Sequence, residues 1–135
     1  MSRIVRIIGF VLSLICMAAI VYLSFASKVL ITNYVIGGDK GGHFLAYTAL
    51  SFLFLICFAV YSRKRILVNN LMPMLGAFAL SFICAYCIEL IQPYFRRAFE
   101  MADLLAGALG SLCGVVLGLL CVLLVCAIER RRASR

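Results

Sequence analysis

Residues 102–128 read ADLLAGALGSLCGVVLGLLCVLLVCAI, and Arg130-Arg131-Arg132 follow almost at once. After Asp103 the run carries no charge. As a helix rising about 1.5 Å per residue it is long enough to cross ~30 Å of hydrocarbon. Working back along the chain, three similar runs lie at about 7–27, 42–61 and 71–91. The remaining sequence is too short for a soluble domain. Of the 135 residues, 66% are hydrophobic and 13% charged, whereas a soluble domain has about 45–50% apolar and about 25% charged residues. The same composition excludes disorder. In lipid every backbone polar group has to be satisfied internally, which makes helices the natural choice. The expected fold is all-α: an integral membrane four-helix bundle forming a single domain over 1–135.

The breaks between runs fit this reading. Pro73 is expected in the first turn of the third helix and Pro93 at its stop. The first run follows Arg3 and Arg6 and has the general look of a signal peptide. Its apolar stretch is long for that role, no small-residue cleavage site follows, and Leu14-Ile15 before Cys16 does not suit lipoprotein processing. It is therefore read as a retained helix.

Charge sets the expected topology. Arg3, Arg6, Arg63, Lys64, Arg65, Arg130, Arg131, Arg132 and Arg135 fall on one side of a four-span chain, with Glu129 as the acidic residue there. The other side has Lys28, Lys40, Arg96 and Arg97 against Asp39, Glu89, Glu100 and Asp103. By the positive-inside rule both termini are cytoplasmic, and the first and third connections face outward. The net charge of +8 then reads as an orientation signal and anionic-lipid contact, with no nucleic-acid partner implied. The outer connection from about Lys28 to Gly41 has apolar stretches suited to the interface, as do Tyr94, Phe95 and Phe99.

The seven cysteines all lie inside apolar runs, so no disulfide framework is expected. Cys84-x-x-Cys87 has redox or zinc spacing but lacks a second pair and polar neighbours, and it reads as small apolar packing. Ala106, Gly110, Gly114 and Gly118 recur every four residues, with Gly107 beside them. This stripe permits close helix approach, within the bundle or in a homo-oligomer through Gly110, Gly114 and Gly118.

The polar residues are not scattered. Asp39, Lys40 and His43 open the second helix, Glu89, Gln92, Arg96 and Arg97 close the third, and Glu100 and Asp103 open the fourth. Antiparallel packing brings all of them to the outer end. Lys40, His43 and Tyr47 share a helical face by spacing, as do Glu89, Gln92 and Arg96. Glu89 sits about 10 Å inside Arg96 along a helix, within the apolar zone and at a helix carboxyl end. Both placements disfavour a bare carboxylate. It is therefore expected to be protonated or paired with Lys40, His43, Arg96 or Arg97. Asp103, at a helix amino terminus, is expected as a cap. The glycine-rich stretch Gly37-Gly38-Asp39-Lys40-Gly41-Gly42 could cradle an anion or simply form a flexible turn. No metal and no cofactor is expected, because the one histidine and two or three carboxylates would have to converge.

Asp39-Lys40-x-x-His43-x-x-x-Tyr47, then Glu89-x-x-Gln92, then Arg97 and Asp103 followed by Gly110 and Gly114 together resemble the VanZ-like family over about Gly38 to Gly118. The order and helix placement carry the resemblance more than any single motif. The family commonly has asparagine four residues after the aspartate, where this chain has Gly107. The positions that match are Lys40, His43, Tyr47, Glu89, Gln92, Arg97 and Asp103. The resemblance implies a small bacterial protein of the cytoplasmic (inner) membrane. The family's founding member is linked to resistance to the glycopeptide teicoplanin.

The expected function is binding of, or protection against, an amphiphilic envelope-directed ligand at the extracytoplasmic face. That ligand would be a glycopeptide antibiotic such as teicoplanin or a lipid-linked cell-wall component. Lys40, Tyr47, Gln92, Arg96 and Arg97 are the candidate ligand-binding residues. The alternative is a membrane enzyme using His43, Glu89 and Asp103 for acid–base chemistry on a lipid-borne substrate. A structural or transporter subunit is the third reading. It is opposed by the lack of charge at mid-span, where the polar groups are Ser13, Ser51, Ser81 and Ser111.

Overall fold

The computed structural model describes residues 3–25, 37–61, 65–95 and 97–134. The segment 28–36, Arg96, the Arg63-Lys64 part of the basic connection and Arg135 lie outside the described residues. Among the described residues, four helices, α1 (Arg3–Phe25), α2 (Gly38–Phe58), α3 (Ile66–Ile91) and α4 (Met101–Ala133), make up an all-α fold. A 3₁₀ turn at Gln92–Phe95 extends α3. All four helices are long and apolar enough to span a membrane. They carry large apolar side chains on their outside: Ile8 on α1, Leu45 on α2, Leu75 and Ile83 on α3, and Leu109 and Leu124 on α4 are all exposed. In water such a surface would drive association, whereas in lipid it is ordinary contact.

The closest packing is between α2 and α4, and glycine makes it possible. A Cβ on Gly110 would collide with the Phe44 carbonyl, and one on Gly114 with Ser51 Oγ and the Thr48 carbonyl. On Gly118 it would stand 2.9 Å from Leu55 Cδ2. Gly110, Gly114 and Gly118, offered by the sequence as a face between copies of the chain, are thus buried against α2 of the same chain. Gly107 is equally occupied, since a Cβ there would lie 3.0 Å from the Tyr47 ring and 3.3 Å from Ala85 Cβ.

Where the backbones approach, serines join the helices. Ser51 Oγ donates to the Ser111 carbonyl at 2.9 Å, and the Ser81 and Ser111 hydroxyls are 2.8 Å apart. Ser111 Oγ also reaches its own helix at the Gly107 carbonyl, 2.9 Å away. Three of the mid-span serines therefore tie α2, α3 and α4 together, and all three are fully buried. Each interhelical bond of this kind is worth about 0.6 kcal/mol in a bilayer. Ser13 instead bonds back to the Gly9 carbonyl within α1.

One end of the bundle gathers the starts of α1 and α3 with the ends of α2 and α4. There Ala59, Val122 and Cys126 form a small core with Ile66 against it, and Arg6 donates to the Ala59 carbonyl at 3.3 Å. Asn70 holds this end. Its Oδ1 accepts from the Val60 N–H at 2.9 Å, while its Nδ2 donates to the Val60 and Ile66 carbonyls at 3.0 and 2.9 Å. That anchoring goes with a start to α3 at Ile66, five residues earlier than the apolar run suggested, and Arg65 precedes it in a left-handed conformation. Pro73 consequently lies inside the helix and not in its first turn, where it removes the N–H that would bond the Asn69 carbonyl. Pro93 follows the end of α3 as expected.

Candidate functional site

The opposite end of the bundle collects the polar residues. α2 starts at Gly38, so Asp39, Lys40, Gly41 and Gly42 are helical. The glycine-rich stretch is therefore a helix start, with Gly37 (φ 88°) as the left-handed residue before it. On α2, Asp39, His43 and Tyr47 follow one another four residues apart and face inward, with His43 and Tyr47 buried. Lys40 is exposed. This differs from the face of Lys40, His43 and Tyr47 read from spacing. Both registers are geometrically open to a helix, and packing selects the one that leaves the ammonium group outside the apolar interior. Asp39, not carried among the candidate site residues, takes the inward place.

His43 is held on both sides. Its Nδ1 lies 3.0 Å from the Asp39 carbonyl and 3.8 Å from Asp39 Oδ1. A carbonyl only accepts, so that contact is a hydrogen bond when Nδ1 carries the proton. On the far side Nε2 is 3.2 Å from Glu89 Oε1, near enough for an ion pair but not aligned as a hydrogen bond. Glu89 is fully buried, and its Oε2 accepts the Glu100 N–H at 3.2 Å. Its awkward place at the end of α3 is thereby relieved by a histidine and by a backbone donor immediately before α4, whose amino terminus favours negative charge.

Asp103 lies in the first turn of α4, where Glu100 is the N-cap. It therefore does not serve as the expected cap. Its carboxylate is 1% exposed and turns toward α2, with Oδ1 lacking a hydrogen-bond partner. Ligand atoms of Asp39, His43 and Asp103 all lie within 4.8 Å of one another. Arg97 pairs through Nη2 with Asp39 and donates through Nη1 to the Ser24 carbonyl at 2.9 Å, bridging α1 and α2. Gln92 is buried, and its carbonyl accepts the Arg97 N–H at 3.2 Å, which fixes the turn that presents the guanidinium. Tyr94, Phe95 and Phe99 are exposed, and the Phe95 ring packs on Phe25 of α1 with centroids 4.5 Å apart.

Satisfaction of polar groups separates this end from the rest. Among the described residues, the buried side-chain atoms without a hydrogen-bond partner are His43 Nε2, Tyr47 Oη, Glu89 Oε1, Gln92 Nε2, Arg97 Nε and Asp103 Oδ1. All belong to this end. Beside them a half-open recess of about 50 Å³ lies between α1 and α2. Asp39, His43 and Tyr47 border it on the polar side, and Ile20, Leu23 and Ala46 on the apolar side. Little of its accessible lining is polar, so the recess is chiefly an apolar surface beside the cluster.

The cysteine pair contributes nothing here. Cys84 and Cys87 are unbridged, and Cys87 is exposed on the outside of α3.

Fold and site together define a four-helix membrane-type bundle with a buried histidine–carboxylate–arginine cluster at one end. In comparisons with known proteins, no family model, no curated protein and no solved structure matches the chain.

Proposed function

We propose that this is a VanZ-like protein of the bacterial inner membrane, with both termini cytoplasmic, whose polar end binds an amphiphilic envelope-directed ligand from the extracytoplasmic side. The ligand class is a glycopeptide such as teicoplanin or a lipid-linked cell-wall component. The observation that carries this reading is that Tyr47 Oη, Gln92 Nε2, Arg97 Nε and Asp103 Oδ1 are buried without a hydrogen-bond partner, all at the end that has the recess. Buried polar groups are normally satisfied, and leaving one unpaired costs about 1–3 kcal/mol. A ligand's polar group is what such atoms lack.

The shape of the recess supports an amphiphile. Asp39, His43 and Tyr47 border it, and its apolar wall of Ile20, Leu23 and Ala46 continues into the apolar outer surface of α1 and α2. The bulk of the ligand therefore stays in the bilayer interface. The exposed Lys40 follows Asp39 in the first turn of α2 and suits an anionic group there. Purified protein in nanodiscs is expected to bind teicoplanin or a lipid-linked precursor saturably. Folded protein that binds neither would refute this reading.

A second reading has its own observation. His43 has one ring nitrogen on the Asp39 carbonyl and the other 3.2 Å from Glu89. The Asp39 carbonyl orients the ring, and imidazole and carboxylate side by side are groups that can divide proton transfer in general acid–base catalysis. An enzyme acting on a lipid-borne substrate would lose turnover in Glu89→Gln and His43→Ala while retaining substrate binding. A pure binding protein would lose affinity with no turnover to lose.

A further inference from the structure

We propose that Asp39, His43 and Asp103 form a binding site for one divalent first-row transition cation. The sequence weighed against a metal because one histidine and several carboxylates would have to meet at a point. In the fold they meet: one ligand atom from each lies within 4.8 Å of the other two. Two ligands bound at about 2.1 Å to one ion stand up to about 4.2 Å apart, so side-chain shifts of under an ångström close the site.

Two further observations point to a ligand at this place. Asp103 Oδ1 is buried without a hydrogen-bond partner, on a side chain that is at least nine-tenths buried and lies beside His43 and Asp39. The ring is also oriented by its environment. Metal-binding histidines donate their second N–H to a carbonyl or carboxylate. The Asp39 carbonyl at Nδ1 and Glu89 Oε1 at Nε2 offer such a partner for either nitrogen.

The donor set is one imidazole and carboxylate oxygens with no thiolate. That favours Mn²⁺, Fe²⁺ or Zn²⁺ over the all-oxygen preference of Mg²⁺ and Ca²⁺. Three protein ligands leave coordination positions that water or an anionic group of a bound amphiphile would complete. The cation site shares its location with the proposed amphiphile site but does not depend on it.

The test uses the full chain in phosphatidylcholine nanodiscs, stripped with chelator and titrated with Mn²⁺ alone. Manganese is chosen because the seven cysteines would compete for softer metals. Electron paramagnetic resonance is expected to show one saturable site per chain, weakened at least tenfold by Asp103→Asn and unchanged by Gly76→Ala. His43 is the only histidine, so imidazole ¹⁴N coupling to the bound ion assigns the site in the wild-type protein even if the Asp103 variant fails to fold. Non-saturable binding, full affinity in folded Asp103→Asn, or bound Mn²⁺ without imidazole coupling would overturn the proposal. Amphiphile binding is scored separately in chelator, so either reading can fail alone.

Discussion

Glu89 Oε1 of α3 stands 3.2 Å from His43 Nε2 of α2, while its other oxygen accepts the Glu100 N–H just before α4. One carboxylate thus joins three helices at a depth where a bare charge is costly. Glu89→Gln keeps an acceptor for the Glu100 N–H and gives up the charge, whereas Glu89→Ala gives up both. Ala is expected to lose about 2–4 kcal/mol of stability, and Gln to lose clearly less. Equilibrium unfolding in mixed micelles measures both. Equal losses would mean that the backbone contact to Glu100 carries no weight.

The α2–α4 contact predicts a contrast between two glycines in helices. Gly110 has the Phe44 carbonyl where a Cβ would go, whereas Gly76 has nothing within 4 Å. Gly110→Ala must push two backbones apart and is expected to destabilise by more than about 2 kcal/mol. Gly76→Ala is expected to be neutral or to stabilise by about 0.4–1 kcal/mol, because helical alanine has less chain entropy to lose. Thermal unfolding of the two variants side by side decides it.

Asn70 is expected to be a main tie at the far end. It makes three hydrogen bonds to backbone groups of Val60 and Ile66 and is fully buried. Asn70→Leu leaves the Val60 N–H and carbonyl without those partners in an apolar setting. A loss of about 2–4 kcal/mol is expected, along with faster hydrogen exchange at the Val60 amide. Unchanged exchange there would contradict the assignment.

The proposed orientation is checked by fusions after Ser134. A reporter active only in the cytoplasm should function, and one active only outside it should be silent. The reverse pattern would place the His43–Glu89 end on the cytoplasmic side.

Much of the fold could be read from the sequence because membrane constraints act on long runs. Four apolar stretches and their basic ends give four helices, and the glycine spacing on α4 marks a packed face. Side-chain direction was harder to read. Lys40 and Asp39 both stand at permitted spacings from His43, and only the packing of α2 on its neighbours places the aspartate inside. Asn70 carried no signal, because its role depends on where the chain turns after Ala59. Pro73 was a misleading signal, since a buried asparagine upstream lets the helix start before the proline. The meaning of Gly107 also needed the fold. The Tyr47 ring fills the space that an asparagine side chain at that position would take, so Gly107→Asn is expected to disrupt Tyr47 and not to restore a contact.

The most direct test of the central claim is a binding titration of teicoplanin and of a lipid-linked cell-wall precursor against the purified chain in nanodiscs, run alongside folded His43→Ala. The account predicts saturable binding of at least one of them, weakened at least tenfold by the substitution. Binding to neither, or equal binding by the variant, would contradict it.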